Sequence, residues 1–152
     1  MKMKQVKHNL IFIVEDNDMY SVMLDYMLSQ EINCNLVNYK TGEECIANLD
    51  QHPDLIFLDY GLPGMNGMKT FEKIKEKDPN IPIVVLTSNH DMHLIREFLR
   101  KGAQDYIIKD RETIKNLCDT IRKVFDGGIK IKKADIKRHP LRDLVKVFKN
   151  VF

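Results

Sequence analysis

The sequence predicts an α/β protein in which five parallel strands form one doubly wound sheet with helices on both faces. Five short runs are rich in Val, Ile, Leu and Phe, and the stretches between them have apolar residues three and four positions apart. The two patterns alternate strictly, which is typical of strand–helix–strand units. A chain of 152 residues suffices for one core but not for two ordinary domains. For this size we expect the strand order 2-1-3-4-5.

Each predicted strand is a short apolar run of the kind that a sheet covered on both faces requires. The predicted strands are Leu10–Val14, Asn35–Tyr39, Leu55–Leu58, Ile83–Leu86 and Tyr106–Ile108.

Helical spacing of apolar residues predicts five helices between and after the strands, and we expect all of these apolar residues to pack in the core. The second helix opens with a Thr41-x-x-Glu44 capping box. The apolar positions are Met19, Val22, Met23, Tyr26 and Met27 in the first helix; Cys45, Ile46 and Leu49 in the second; Met68, Phe71 and Ile74 in the third; Leu94, Ile95, Phe98 and Leu99 in the fourth; and Ile114, Leu117, Cys118, Ile121, Val124 and Phe125 in the fifth.

Composition and termini predict a cytoplasmic protein. The longest apolar run, Leu10–Val14, is far shorter than the roughly 20 residues of a membrane-spanning helix. The basic start MKMKQVKHN lacks the apolar segment of a secretory signal. Cys34, Cys45 and Cys118 form no CxxC pair, which favours reduced thiols over zinc or disulfides.

Charge is distributed unevenly and suggests three parts. The whole chain has a net charge of +2, but residues 127–152 carry eight Lys and Arg against two Asp, so the first 126 residues are net acidic. We therefore predict a basic arm over residues 1–8, a globular domain over 9–126, and a basic amphipathic tail over 127–152.

The tail predicts a short C-terminal helical extension. Pro140 suits a first helical turn, and apolar residues follow at helical spacing: Leu141, Leu144, Val145, Phe148, Val151 and Phe152. The simplest interpretation is a helix that packs on the domain or on a second copy in a homodimer. A membrane-surface helix, a partner helix and a nucleic-acid contact are alternatives. The chain could also be a fragment of a longer regulator.

Polar residues stand where four predicted strands end. Glu15-Asp16 follows the first strand and Asp59 the third, while Thr87-Ser88 and Lys109 follow the fourth and fifth. In the order 1-3-4-5 these strands are neighbours, so their ends should surround one crevice.

These groups predict phosphoryl chemistry with a magnesium ion. Three neighbouring carboxylates repel one another unless a cation joins them, and Mg²⁺ prefers hard oxygen ligands. A carboxylate can act as a nucleophile towards phosphorus, while the metal and the Lys109 ammonium offset charge on the transferring group. The Thr87 hydroxyl can donate a hydrogen bond to a phosphoryl oxygen. We therefore predict that Asp59 is a phosphoacceptor.

Four motifs resemble the receiver domain of bacterial two-component response regulators. They are FIVEDN, LIFLDYGLPGMNG, PIVVLTSN and GAQDYIIKD, in order over about residues 9–126. The resemblance implies that Asp59 takes phosphate from a histidine kinase or phosphotransfer protein. It also implies that Asp16 and Asp59 bind Mg²⁺ directly with the Gly61 carbonyl, and that Glu15 acts largely through water.

The resemblance further implies a switch. Lys109 would pair with the phosphoryl group and Thr87 would move to bind it, while the Tyr106 ring turns inward. The face formed by the fourth helix, fifth strand and fifth helix would then change for a downstream protein. One departure is Asp110, which stands where the family often has a proline joined by a cis peptide; Asp110 can instead cap the fifth helix.

The same residues also allow structural interpretations and two other functions. Asp59 could be a turn residue before Gly61, Glu15-Asp16 could cap the first helix, and Thr87 and Tyr106 could be ordinary sheet residues. A magnesium-dependent phosphohydrolase similar to haloacid dehalogenases would need a D-x-D pattern, but Gly61 occupies its second position. An adaptor that binds through the basic tail, with a vestigial pocket, is the third possibility.

Overall fold

The computed structural model describes residues 9–125. The predicted basic arm, residues 1–8, and the predicted tail with its helical extension, residues 127–152, lie outside the described residues. The domain boundaries at residues 9 and 126 therefore stay a prediction. Between residues 9 and 125, no helix is both long enough and apolar enough to span a bilayer.

Five parallel strands form one sheet in the order β2-β1-β3-β4-β5, which confirms the predicted flavodoxin-like topology. The strands are β1 (Leu10–Val14), β2 (Asn35–Tyr39), β3 (Leu55–Asp59), β4 (Ile83–Thr87) and β5 (Asp105–Ile108).

Three strands are one residue longer than predicted: β5 begins one residue earlier, at Asp105, while β3 and β4 extend at their carboxyl ends to Asp59 and Thr87. Asp59 is in register with Leu86 of β4, and Thr87 with Ile108 of β5. Strand pairing uses backbone groups, so a polar side chain does not end it. Both side chains are therefore anchored by the sheet ladder rather than by a free loop.

Between residues 9 and 125, four helices and one short 3-10 turn connect the strands and a fifth helix follows β5, so the five predicted helices are present. They are α1 (Asp18–Glu31), α2 (Gly42–Ala47), the 3-10 turn (Leu49–Gln51), α3 (Gly67–Lys77), α4 (Met92–Arg100) and α5 (Thr113–Phe125). Leu49, predicted in the second helix, lies instead in the 3-10 turn, because α2 ends at Ala47. The Thr41 side chain accepts from the Glu44 amide as in a capping box, but Glu44 accepts from the amide of Lys40 rather than that of Thr41.

The sheet separates two hydrophobic cores. Successive residues of a strand point to opposite faces, so Ile11 and Ile13 pack with α1 and α5, while Phe12 and Val14 pack with α2, α3 and α4. Because β1, β3 and β4 are buried on both faces, their polar residues lie at their carboxyl ends, and these ends form the site described below.

The prediction that the whole apolar set of α1 packs in the core is wrong. Met19, Val22 and Tyr26 are exposed by 57%, 67% and 47%, and together we call them the α1 stripe. The buried face instead carries Tyr20, Met23, Leu24, Met27 and Leu28. Apolar residues occur at helical spacing on both faces, so periodicity could not select the buried one. Leu99 of α4, also assigned to the core, is 46% exposed.

Candidate functional site

The end of β1 places two acidic residues at the crevice without using either as a helix cap. The cap of α1 is Asn17, whose side chain accepts from the Tyr20 amide at 2.9 Å. The interpretation of Glu15-Asp16 as the cap is therefore wrong, because an asparagine directly after them fills that role. Glu15 is buried and accepts from the Asn17 amide at 3.0 Å, whereas Asp16 is exposed.

Asp59 is a buried carboxylate at the end of the central strand β3. Its exposed fraction is 6%, and its Oδ1 accepts from the Gly61 amide at 3.2 Å. The chain turns sharply after it, since the Gly67 amide donates to the Tyr60 carbonyl. The side chain is thereby held at the crevice from both sides, by the β3 ladder and by this turn.

Lys109, the residue after β5, neutralises part of this acidic charge. Its Nζ lies 2.5 Å from Glu15 Oε2 and 3.3 Å from Asp59 Oδ2, and its amide donates to the Thr87 carbonyl. The Lys109 side chain is only 14% exposed, so these contacts are screened weakly by water. The ammonium thus joins the ends of β1 and β3 across the crevice.

The three carboxylates form a candidate metal site. Ligand oxygens of Glu15, Asp16 and Asp59 all lie within 4.8 Å of one another. Hard oxygen donors, one of them open to solvent, fit Mg²⁺, which keeps several of its waters.

Burial and charge act strongly on Glu15. Burial, followed by the repulsion of Asp59, raises its pKa from 4.5 to about 7, and Lys109 offsets only part of this. A carboxylate of this kind takes up a proton near neutral pH even with the Lys109 ammonium beside it.

Thr87 and Tyr106 both contact Asn89, the last residue of the PIVVLTSN motif. The buried Thr87 Oγ1 accepts from the Asn89 amide at 3.0 Å, and the Tyr106 hydroxyl donates to the Asn89 carbonyl at 3.2 Å. The half-buried Tyr106 ring lies 6.2 Å from that of Phe98 in α4. Burial raises the pKa of Tyr106, which keeps its hydroxyl a donor. Asn89 ends the PIVVLTSN motif, but the sequence does not predict these contacts, because its backbone rather than its side chain makes them.

Tyr20 is a residue that the sequence analysis missed. It lies on the buried face of α1, with Lys109 Nζ 4.5 Å from the centroid of its ring. The signal in the sequence was an aromatic residue in the first turn of the helix that follows Glu15-Asp16. It was missed because Met19 and Val22, which are also apolar, were assigned to the buried face instead.

The segment after Lys109 has ordinary geometry. No peptide bond among residues 9–125 is cis, so the Lys109–Asp110 bond is trans. The Asp110 side chain accepts from the Glu112 amide at 2.8 Å, and the Thr113 hydroxyl accepts from the Asp110 amide. Asp110 therefore stabilises the turn that leads into α5, close to the capping role predicted for it.

A family comparison identifies this arrangement. The model of the response regulator receiver domain family matches residues 11–122. The chain belongs to this family. Receiver domains are the signal-transducing switches of two-component systems, so the resemblance of the four motifs is confirmed.

Relatives of this receiver domain include larger regulators. It is 37% identical over 120 residues to the regulatory protein LuxO of Vibrio cholerae, covering 78% of this chain and 25% of LuxO. It is 36% identical over 107 residues to the nitrate/nitrite response regulator protein NarL of Escherichia coli K12, covering 67% of this chain and 48% of NarL. The receiver domain thus spans about a quarter to a half of these relatives.

Solved structures show the same fold. The signal receiver domain of a putative LuxO repressor protein from Vibrio parahaemolyticus aligns with a TM-score of 0.73 at 21% identity, covering 91% of this chain and 98% of that one. A CheY-like receiver domain protein from Methanospirillum hungatei aligns with a TM-score of 0.72 at 22% identity, covering 80% and 97%.

Proposed function

We propose that this chain is a phosphorylation-operated switch in which Asp59 accepts a phosphoryl group from a histidine kinase or phosphotransfer protein. The observation that carries this proposal is the Asp59 carboxylate at the end of a central strand, 3.3 Å from the Lys109 ammonium and within 4.8 Å of the oxygens of Glu15 and Asp16. The switch would act in the cytoplasm and would catalyse only its own phosphorylation and dephosphorylation.

The residues suggest how the transfer proceeds. An Asp59 oxygen attacks phosphorus, the new O–P bond forms as the P–N bond to the donor histidine breaks, and the imidazole leaves with the bonding electrons and is protonated. Mg²⁺ bound by Asp16, Asp59 and the Gly61 carbonyl, with Glu15 acting through water, would supply positive charge to the phosphoryl oxygens. The Lys109 ammonium already lies 3.3 Å from Asp59 and can form an ion pair with the phosphoryl group once that group is bound to Asp59.

Thr87 and Tyr106 are suited to transmit the change. The Thr87 oxygen now accepts from the Asn89 amide, which leaves its O–H free to donate to a phosphoryl oxygen, and we propose that Thr87 moves towards the phosphoryl group when it does so. That move frees the Asn89 segment, whose carbonyl holds the Tyr106 hydroxyl. A Tyr106 ring released in this way can turn inward, which would alter the face formed by α4, β5 and α5 for a downstream protein.

The α1 stripe supports docking of a phosphodonor protein beside the crevice. Met19 is three residues from Asp16, and the stripe continues along the helix through Val22 and Tyr26, all exposed. An exposed row of apolar side chains is the kind of surface that partners bury. We propose that the phosphodonor uses it when it presents its phosphohistidine to Asp59.

The alternatives have less support. A phosphohydrolase of the D-x-D type lacks its second carboxylate, since Gly61 occupies that position. An adaptor with a vestigial pocket would have no use for the buried contacts of Lys109 with two carboxylates. A receiver within a longer regulator stays an alternative, because the matched relatives extend well beyond their receivers. A homodimer, and contacts of the tail with nucleic acid or membrane, also stay predictions.

Intact mass after incubation with Mg²⁺ and acetyl phosphate tests the proposal. We expect a phosphoryl adduct on the wild-type chain that is absent with EDTA and absent from Asp59→Asn. Asp54→Asn is a matched control, because Asp54 lies just before the opposite end of β3, where it accepts from the Leu10 amide. It should label like the wild type.

A short-lived adduct calls for a second measurement. Beryllofluoride mimics the phosphoryl group, so its binding should change tyrosine fluorescence more in the wild type than in Tyr106→Phe. Labelling of Asp59→Asn at the wild-type rate would contradict the proposal, as would the absence of both adduct and beryllofluoride response.

A further inference from the structure

We propose that Tyr20 is a positioning residue that holds the Lys109 ammonium in place through a cation–π contact, so that it faces Asp59 and the phosphoryl group. This inference rests on the proposed phosphoacceptor role of Asp59. The ring belongs to α1 and the lysine follows β5, so the contact joins two elements that are distant in sequence.

The geometry is that of a cation–π contact. Lys109 Nζ lies 4.5 Å from the centroid of the Tyr20 ring, within the roughly 6 Å over which such contacts act. Tyr20 is 3% exposed and the Lys109 side chain 14%, so water does little to weaken the attraction. The ammonium therefore has the ring as a neighbour in addition to Glu15 and Asp59.

Tyr20 is itself held firmly. Its amide donates to the Asn17 cap at 2.9 Å, and its ring packs in the core between α1, α5 and the sheet. Burial raises the pKa of Tyr20, and a side-chain hydrogen bond with Thr113 offsets this only in part. The hydroxyl thus stays protonated and the ring neutral, with an electron-rich face towards the ammonium.

The position of the Lys109 ammonium depends on neighbouring groups such as the Tyr20 ring. Its ammonium sits at the end of a flexible four-carbon stem, and a strongly charged carboxylate on either side can draw it away. Glu15, at 2.5 Å, is closer to the ammonium than Asp59, at 3.3 Å. A neutral ring attracts the ammonium more weakly than a further carboxylate would, so the ammonium can still donate to the phosphoryl oxygens. Tyr20 would therefore restrain Lys109 without competing with the group that it must bind.

Variants of the full chain separate positioning from core packing. Tyr20→Phe keeps the ring face and Tyr20→Leu removes it. Phenylalanines with one, two or three ring fluorines at position 20 keep the shape while withdrawing electron density from the face. Leu24→Ala is the matched control, since Leu24 is fully buried on the same helix face and its truncation lowers stability without touching Lys109.

Three quantities are measured for each variant: the rate of labelling by acetyl phosphate at saturating Mg²⁺, the beryllofluoride dissociation constant, and the free energy of unfolding in urea. We expect Tyr20→Phe to behave like the wild type, and Tyr20→Leu to lose roughly tenfold in rate and in beryllofluoride affinity. In the fluorinated series, the labelling rate and the beryllofluoride affinity should each fall stepwise with added fluorine, while the free energy of unfolding stays nearly constant. Leu24→Ala should lose stability but label at the wild-type rate.

The outcomes distinguish the two proposals. A wild-type chain that neither labels nor binds beryllofluoride would overturn the phosphoacceptor role and the positioning role with it. A wild type that labels, with a flat fluorine series, would overturn the positioning role alone. The same conclusion follows if labelling tracks stability through Leu24→Ala and Tyr20→Leu alike, because the ring would then only fill the core.

Discussion

Glu15 is the residue whose behaviour depends most on its surroundings. Its side chain is 1% exposed, and it shares the crevice with Asp59 and Lys109. Burial is the largest cause that raises its pKa to about 7, ahead of the repulsion by Asp59. Its charge thus responds to pH near neutrality, whereas a solvated glutamate is fully ionised there.

The raised pKa of Glu15 predicts that the metal-free protein loses stability as pH rises from 4.5 to about 7. The folded chain binds a proton at Glu15 up to a pKa of about 7, and the unfolded chain releases it near 4.5, so the free energy of unfolding falls between these values. The full effect is at most about 3 kcal/mol. Urea unfolding in EDTA at several pH values measures it, and Glu15→Gln should lose most of this slope.

Two further observations complete the test. Glu76→Gln, on the exposed face of α3, serves as the control and should keep the wild-type slope. Mg²⁺ should stabilise the wild type more at pH 8 than at pH 6, because the carboxylates must be ionised to bind it. Equal slopes for Glu15→Gln and the wild type would contradict the assignment of the titration to Glu15.

At the level of elements, the start of α3 shows how tightly the segment after Asp59 is packed. A Cβ built on Gly67 would lie 2.6 Å from the Tyr60 Cα and 2.9 Å from the Asp59 carbonyl oxygen. These are backbone atoms, which cannot rotate away as a flexible side chain could. The absence of a side chain at Gly67 therefore lets α3 begin directly against the end of β3.

Gly67→Ala should destabilise the protein by about 1–3 kcal/mol, because relief of the clash must shift the backbone that carries Asp59. Gly61→Ala is the control: a Cβ there would approach only the Asp59 carboxylate oxygens, at 3.9 Å, and its stability should change by less than about 0.5 kcal/mol. Urea unfolding of both variants measures the difference. A Gly67→Ala variant as stable as the wild type would contradict this prediction, because it would show that the backbone of Asp59 and Tyr60 accommodates a Cβ at position 67.

For the molecule as a whole, the packing decides which apolar residues are left at the surface. With α1 covering β1 and packing against α5, Tyr20 and Leu24 turn inwards and the α1 stripe turns outwards. The stripe begins close to the crevice, so a partner that covers it also has access to Asp59. This surface is the result of assembly and could not be assigned from the helix alone.

Val22→Glu should slow phosphotransfer from a protein donor by roughly tenfold while leaving labelling by acetyl phosphate unchanged. Val22 is 67% exposed, so the change places a charge in the proposed interface without disturbing the core. The donor used is the autophosphorylated histidine kinase from the same source that labels the wild-type chain fastest.

Gln30→Glu adds the same charge at the far end of the same helix, where Gln30 is exposed, and should transfer normally. Unchanged transfer to Val22→Glu, or equal slowing by Gln30→Glu, would place the docking surface elsewhere.

The five strands and five helices, their order, and the polar residues at the strand ends could all be predicted from the sequence. Apolar runs and helical spacing are local properties, and parallel strands bring their carboxyl ends to one edge, so Glu15, Asp16, Asp59, Thr87 and Lys109 could be assigned to one crevice. Only the tertiary structure decided how these groups meet. The contact of Lys109 with Glu15 joins residues 94 positions apart, and the contacts of Tyr20 and Asn89 depend equally on how α1, β4 and β5 pack. Spacing along the chain carries no information about such contacts, because side chains from different elements meet only when the cores close around them.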